Sequence, residues 1–186
     1  MSAVKPFSEE EIEYILSNFV YEPSTGQLLN LREKNGGGGK KSLMQPLGSI
    51  DGRGYVSVSI RSNGKCRSAR AHRVAWLLWT GKCPGAMQID HIDHNRSNNR
   101  FGNLRLVTHL QNKKNESLRK DSSSGATGVS KCKNKWIAYY YDGGKRVDLG
   151  VFDSKEAAIK ARKSANAAAG FHENHGQQPL IGRQHV

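Results

Sequence analysis

Cysteine is scarce in this chain, and its three residues fit no pairing or metal-binding pattern. Cys66, Cys83 and Cys132 lie far apart and include no C-x-x-C pair. Their odd number and wide spacing predict neither a disulfide framework nor a zinc finger. Long apolar runs are absent too: no stretch approaches the ~18 residues of a membrane-spanning helix, and no apolar signal region opens the chain. We therefore expect a soluble, intracellular protein with no membrane partner.

Acidic residues are the second deficit. The 186 residues include 16 Asp and Glu against 29 Lys and Arg, for a formal net charge of +13. Residues 1–22 carry five acids and one base, so the rest of the chain carries +17. A basic excess of this size favours a polyanionic partner, most often nucleic acid, although a merely soluble basic protein has the same composition. The length allows one domain or two small ones.

Local patterns in the first half predict helices and antiparallel strands. Ser8 and Glu11 form a capping box, and the apolar residues that follow at helical spacing predict a short N-terminal helix. Asn63-Gly64 is a strong hairpin signal between two predicted strands. The remaining predictions for this half are a flexible basic glycine loop at 35–41, strands at 55–61 and 66–71, and a buried helix over 74–79 that ends at Gly81.

The densest cluster of acid, imidazole and amide side chains spans residues 88–112. Strands are predicted on both sides of a polar loop, and the capping box Thr108-x-x-Gln111 begins a helix. This order of elements can bring Asp90 and Asn112 together, and their oxygens suit Mg²⁺ or Mn²⁺ in an open site. The adjacent His91 can accept a proton near neutral pH. The alternative for the same residues is a capped turn with a buried histidine.

The central stretch resembles the HNH endonucleases, particularly the homing-type members that phages encode. The resemblance rests on these motifs: Ala71-His-Arg-Val-Ala-Trp76, Pro84-Gly85, Ile89-Asp-His-Ile-Asp93, Asn98-Asn-Arg100, Asn103-Leu-Arg105 and Thr108 to Asn112. It implies a ββα-metal nuclease unit in which Asp90 and Asn112 hold the metal and His91 activates water. Asn103 would fix the loop and orient the histidine through backbone hydrogen bonds. His94 stands where the relatives usually have glycine.

The C-terminal third has its own pattern. A charged, serine-rich stretch at 113–124 predicts a linker, and 171–186 predicts an irregular polar tail with exposed histidines. Between them, strands at 127–133, 135–142 and 145–152 precede an alanine-rich helix that the box Asp153-x-x-Glu156 would cap. The segment resembles the plant APETALA/ethylene-response-factor DNA-binding domain through Gly128-Val129, Lys135-Trp136-x-Ala138, Leu149-Gly150-x-Phe152 and Glu156-Ala-Ala158.

The sequence thus predicts an α+β protein: a helix and small antiparallel sheet lead into the ββα-metal unit, followed by a three-stranded sheet on one helix. The predicted domains are 1–112 and 125–170, with the linker at 113–124 and the tail at 171–186. We expect a double-stranded DNA endonuclease that uses Mg²⁺ or Mn²⁺ and no small-molecule cofactor, in the host cytoplasm if phage-encoded. The alternatives are a DNA-binding regulator with an inactive nuclease unit and a basic RNA-binding protein. Predicted DNA contacts are His72, Arg73, Arg96, Arg100, Arg105, Lys131, Lys133, Tyr139, Tyr141 and Arg146.

Overall fold

The computed structural model describes residues 5–31 and 43–178. The glycine loop predicted at 35–41 and the end of the predicted tail lie outside the described residues. The chain divides into two compact units, Met1–Val107 and Thr108–Val186. This division falls at Val107, whereas the sequence places the limit of the nuclease domain at residue 112; the domain limits stay a prediction. No helix in the described ranges has the length and apolar character to cross a membrane.

The first unit opens with the predicted helix. Helix α1 (Glu9–Asn18) begins at Ser8, whose hydroxyl accepts from the Glu11 N–H at 3.3 Å, while the Glu11 carboxylate accepts from the Ser8 N–H at 3.0 Å. The predicted capping box is therefore present. Strands β1 (Phe19–Glu22), β2 (Gln27–Asn30) and β3 (Pro46–Leu47) follow as one antiparallel sheet in that order.

A second antiparallel sheet contains β4 (Ser49–Ile50), β5 (Val56–Ser62) and β6 (Lys65–Arg70). Asn63 and Gly64 join β5 to β6 with φ values of 50° and 72°, the left-handed pair that a type I′ turn requires. Helix α2 (Ala71–Thr80) ends at Gly81, which has a φ of 68°. The hairpin and the helix end both match the sequence prediction, because each depends on a local glycine signal.

The third sheet of this unit is the hairpin of β7 (Gln88–His91) and β8 (Leu104–Val107), with Asp90 opposite Arg105. A 3-10 turn at Phe101–Asn103 leads into β8. Helix α2 and the sheets share one core, whose fully enclosed side chains include Ile15, Leu28, Ile60 and Val74. Ile89 and Leu104 of the hairpin belong to the same core, so the hairpin is fixed to the rest of the unit.

The second unit begins with helix α3 (His109–Lys113), which Thr108 and Gln111 cap reciprocally at 2.8 and 3.2 Å. Strands β9 (Val129–Cys132), β10 (Lys135–Asp142) and β11 (Lys145–Phe152) form an antiparallel sheet with β10 in the centre, and helix α4 (Lys155–Ala168) packs on it. The cap of α4 is Ser154, one residue after the predicted Asp153. The mixture of helices and antiparallel sheets confirms the predicted α+β class.

The stretch predicted as a linker is packed within the second unit. Ser124 and Asn115 are only 1% and 3% exposed. Backbone hydrogen bonds join it to the stretch predicted as a tail: His172 N–H to Lys114 O at 3.0 Å, Gly176 N–H to Glu116 O at 2.8 Å, and Leu118 N–H to Gln177 O at 3.2 Å. His172 and His175 are consequently half-buried and not exposed as the sequence predicts.

Candidate active site

The hairpin β7–β8 presents the acid and the imidazole that the sequence singled out. Asp90 and His91 end β7 and are 8% and 5% exposed. Arg105, opposite Asp90 on β8, donates from Nε and Nη2 to Asp90 Oδ2 at 3.0 and 2.8 Å. The carboxylate is thus charge-paired in a place that excludes most water. Arg105, which the sequence predicts to contact DNA, forms an ion pair with Asp90 in this structure.

The His91 ring is held by an amide. Asn99, 2% exposed, places its Oδ1 at 3.0 Å from His91 Nε2. Because an amide oxygen only accepts, Nε2 carries the proton and the lone pair lies on Nδ1. Burial lowers the pKa of His91, while the Asn99 hydrogen bond and the charges of Asp93 and Asp90 oppose this effect. The imidazole is therefore neutral at neutral pH, the form that can accept a proton.

A second histidine and a tyrosine enclose this ring. The His72 ring meets the His91 ring edge to face, with centroids 5.0 Å apart, and the Tyr55 ring lies 5.6 Å from His72 and 6.1 Å from His91. Burial, then the neighbouring His91, hold the pKa of His72 well below its usual value. Arg70 and Arg96 stack on Tyr55 at 4.7 and 4.9 Å. The site therefore combines two neutral imidazoles with a cationic rim.

The loop between the two strands is closed by Asn103. Its Oδ1 accepts from the Asp93 N–H at 3.0 Å, and its Nδ2 donates to Asp93 Oδ1 at 2.9 Å and to Asn98 O at 2.8 Å. A side chain that bonds to the His91 ring is that of Asn99. His94 has a φ of 64°, a left-handed conformation that glycine adopts without strain. This accounts for the glycine that the HNH resemblance expects at this position.

The other predicted site residues are distributed over both units. Arg73 is buried, and its guanidinium donates to Met87 O at 3.0 Å and Gly85 O at 2.8 Å, so it holds a loop of the first unit. Arg96 and Arg100 are exposed; Arg100 donates to Ser24 O at 2.7 Å. Asn112 lies half-buried in α3 of the second unit.

The predicted DNA-contacting residues of the second unit lie on its sheet. Lys131 and Lys133 are exposed at the β9–β10 turn. Arg146 stacks over the Tyr139 ring at 4.1 Å, and the Tyr139 and Tyr141 rings meet edge to face at 5.9 Å. Trp136 and Ala138 belong instead to the core beneath α4, as alternation along β10 predicts. The sheet thus presents a tyrosine and arginine cluster with two lysines at its edge.

Three residues of the site were not identified from sequence. Asn99 is one of several asparagines in a loop where such residues usually bond to their own backbone. Tyr55 immediately precedes β5, a strand of another sheet, and Tyr21 lies in β1. Only the fold brings Asn99 and Tyr55 to His91 and Tyr21 to Asn99, and no periodicity or spacing indicates these contacts.

The donor set available to a metal is sparse. Among the described residues, no three His, Cys, Asp or Glu side chains are grouped to hold a metal ion. Asp90 offers carboxylate oxygens, and the Arg105 pair engages Oδ2. A carboxylate has about four lone-pair directions, so this pair is compatible with a cation contact. One carboxylate with water and phosphate oxygens suits Mg²⁺, which is held by few protein ligands.

Residues 69–114 match the protein-family model described as HNH endonuclease. We call this matched stretch the HNH segment. The HNH segment runs from the end of β6 through α3 and contains Asp90, His91, Asn103 and Asn112.

Two relatives share part of the chain. An uncharacterized HNH endonuclease of Acanthamoeba polyphaga mimivirus is 46% identical over 61 residues, which span 32% of this chain and 30% of that protein. Protein 3.8 of Escherichia phage T7 is 35% identical over 69 residues, spanning 37% of this chain and 57% of that protein. The chain thus matches less than two thirds of either relative. A solved structure titled for DNA binding and cleavage by the HNH homing endonuclease I-HmuI aligns with a TM-score of 0.40 at 20% identity, over 89% of this chain and 94% of that one.

Proposed function

We propose that this chain is a metal-dependent endonuclease that hydrolyses phosphodiester bonds in double-stranded DNA. The observation that carries the proposal is the buried, neutral His91, fixed by Asn99 and adjacent to the carboxylate of Asp90 within the HNH segment. A turn with only a structural role does not require an imidazole that is both buried and held in one orientation by a hydrogen bond. The proposal includes a homing-type enzyme of phage origin, consistent with the relatives from a phage and a giant virus.

His91 supplies the general base in this proposal. Water transfers a proton to Nδ1 of the neutral imidazole while its oxygen attacks phosphorus, and the bond to the 3′ oxygen breaks. Asp90 and Asn112 would hold Mg²⁺ or Mn²⁺, and Asn103 would keep the loop closed. The bound cation would stabilise negative charge on the phosphate and on the departing oxygen.

DNA contacts are proposed for both units. Arg96 and Arg100 supply exposed cations near the site, and Lys131, Lys133 and the Tyr139, Tyr141 and Arg146 cluster supply a second surface. The second surface would act as the APETALA-like sheet does, against the major groove. The proposed interface excludes Arg73, whose guanidinium is committed to backbone carbonyls. Arg105 can reach a phosphate only by leaving or sharing Asp90.

The direct test is supercoiled plasmid cleavage with Mg²⁺ or Mn²⁺. His91→Ala is expected to lower the rate by about 10² to 10⁴-fold, the usual loss for a general base. His91→Gln provides the second variant, because it keeps a donor toward Asn99 but cannot accept the proton. Both variants should still retard plasmid DNA.

Three outcomes would overturn the proposal. Undiminished wild-type cleavage in excess chelator excludes the metal requirement. Equal rates for wild type and His91→Gln exclude the base. Retardation of DNA by the wild type, with no nick or break under any divalent cation, favours the regulator.

A further inference from the structure

We propose that Asn99 is the positioning residue for His91, and that the β1–β2 hairpin upstream of the HNH segment holds Asn99 in place. The inference rests on the proposed function, since it concerns how that site is oriented. It adds residues 19–30 to the functional unit, although the family match begins at residue 69.

The first step is the amide at the ring. Asn99 is 2% exposed, and its Oδ1 lies 3.0 Å from His91 Nε2. This oxygen can act only as a hydrogen-bond acceptor. This bond selects one tautomer, with the proton on Nε2 and the lone pair on Nδ1. It also limits rotation of the ring. Removing a partner that fixes the tautomer and orientation of a metal-bound histidine typically costs about 10- to 100-fold in metal affinity or activity, and we expect the same range for His91.

The second step is the support of Asn99 by β1. The hydroxyl of Tyr21 donates to the Asn99 backbone O at 2.7 Å, and both groups are buried. Burial raises the pKa of Tyr21 to about 12, so the hydroxyl stays a donor throughout the neutral range. Tyr21 thus fixes the backbone from which the Asn99 amide extends.

The third step is the turn that joins β1 to β2. Gly26 has a φ of 79°, and a Cβ at this position would lie 2.5 Å from Arg100 N and 2.6 Å from Asn99 C. The Phe101 N–H donates to Pro23 O at 3.2 Å, and Arg100 Nε donates to Ser24 O at 2.7 Å. The turn therefore contacts the 99–101 backbone continuously, and only glycine allows this approach.

The kinetic test compares single-turnover cleavage by four proteins: wild type, Asn99→Ala, Asn99→Asp and Tyr21→Phe. Asn99→Ala is expected to lower the maximal rate by about 10- to 100-fold with little change in the DNA concentration at half-maximal rate. Asn99→Asp keeps an acceptor oxygen at the same place but adds a charge that raises the pKa of His91, so it should recover most of the rate at alkaline pH. Tyr21→Phe should show a smaller loss, about threefold to tenfold, from one hydrogen bond.

A spectroscopic test needs no cleavage. Long-range ¹H–¹⁵N correlations of the metal-free protein at pH 8 report the imidazole tautomer of His91. Wild type and Asn99→Asp are expected to show the Nε2–H form, and Asn99→Ala a mixture. Asn98→Ala is the matched control: it removes a neighbouring loop amide, which bonds to Asp93 at 2.7 Å, and should leave the tautomer unchanged.

The outcomes separate this inference from the proposed function. A wild type that never cleaves DNA refutes the nuclease, while the tautomer comparison still decides the role of Asn99. If wild type cleaves but Asn99→Ala keeps both its maximal rate and the Nε2–H tautomer, the positioning role is wrong. Thermal unfolding will show whether Asn99→Ala keeps its fold. If it does not, Asn99→Asp and Tyr21→Phe provide the test. A wild-type rate for Tyr21→Phe together with a changed His91 tautomer in Asn99→Asp would refute the inference.

Discussion

The two units are stabilised by different kinds of interior. The first encloses large aliphatic side chains, including Ile15, Leu28, Ile60 and Val74. The buried centre of the second consists of Val129, Ala138 and Ala158, with larger side chains only partly covered around them.

In the second unit, a buried arginine occupies part of the interior in which apolar side chains would ordinarily pack. Arg162 on α4 is 4% exposed and stacks on Phe171 at 4.6 Å and on Tyr140 at 5.5 Å. Burial lowers the pKa of this guanidinium. Gly128 lies against it, because a Cβ there would be 2.5 Å from Arg162 Nε and 2.2 Å from Tyr139 O. A small domain with little apolar surface to bury can thus be held by close backbone approach and stacking.

The largest expected loss of stability comes from adding a side chain at Gly128, where the backbone lies close to Tyr139 and Arg162. Gly128→Ala places a methyl group against Tyr139 O and Arg162 at a φ of 71°, so the second unit should lose about 2 to 4 kcal/mol from strain and overpacking. Gly125→Ala is the matched control, because its φ of 67° is equally left-handed but its surroundings are open. It should cost about 1 kcal/mol.

Hydrogen exchange measured along the intact chain during denaturation gives both values. Protection in β10 and β11 should fall in Gly128→Ala, while protection in β5 and β6 stays as in wild type. Equal losses for the two glycine variants would show that close packing at Gly128 is unimportant. Loss of protection in both units would show that they unfold together.

The next prediction concerns the pH dependence of the stability of the first unit. The folded-state pKa of His72 is well below its usual 6.5 because of burial, so the unfolded chain binds the proton first as pH falls. The stability of the first unit should be complete above pH ~6.5 and decrease below it, by up to about 1.4 kcal/mol per pH unit for one proton. His72→Gln should reduce this slope, measured by urea unfolding between pH 5 and 8. A slope that does not change in His72→Gln would assign the effect to other groups.

The smallest effect on stability is expected on the exposed sheet. Arg146→Ala removes a surface ion pair with Asp148 and should change the stability of the second unit by less than about 0.5 kcal/mol. If Arg146 neutralises a phosphate, the slope of log affinity against log salt should become shallower by about 0.9. Lys160→Ala, exposed on α4, is the control. Identical salt slopes for both variants would exclude the proposed role of this face.

Sequence patterns predicted the features that depend on neighbouring residues. The capping boxes at Ser8 and Thr108, the Asn63-Gly64 turn and the end of α2 are all local, and all appear in the structure. The prediction placed the α4 cap at Asp153 and not at Ser154, because both are good capping residues and only the chain path chooses between them.

What the sequence did not predict are contacts between distant residues. The Asn99 amide at His91 is set by the loop path, and Tyr21 reaches Asn99 over 78 residues of chain. Residues 113–124 also pack against residues 171–178. Both stretches are polar, so their composition does not predict that they pair. Polarity indicated a linker and a tail, whereas backbone hydrogen bonds between them make them part of the second unit.

The ion pair between Arg105 and Asp90 has a consequence for the stability of the metal-free protein. A buried carboxylate without a partner destabilises a fold, and many small metalloproteins unfold when their ion is withdrawn. Here the guanidinium already compensates the charge of Asp90. If the proposed function holds, the metal-free protein is expected to keep its fold, and a chelator should stop cleavage without unfolding the protein.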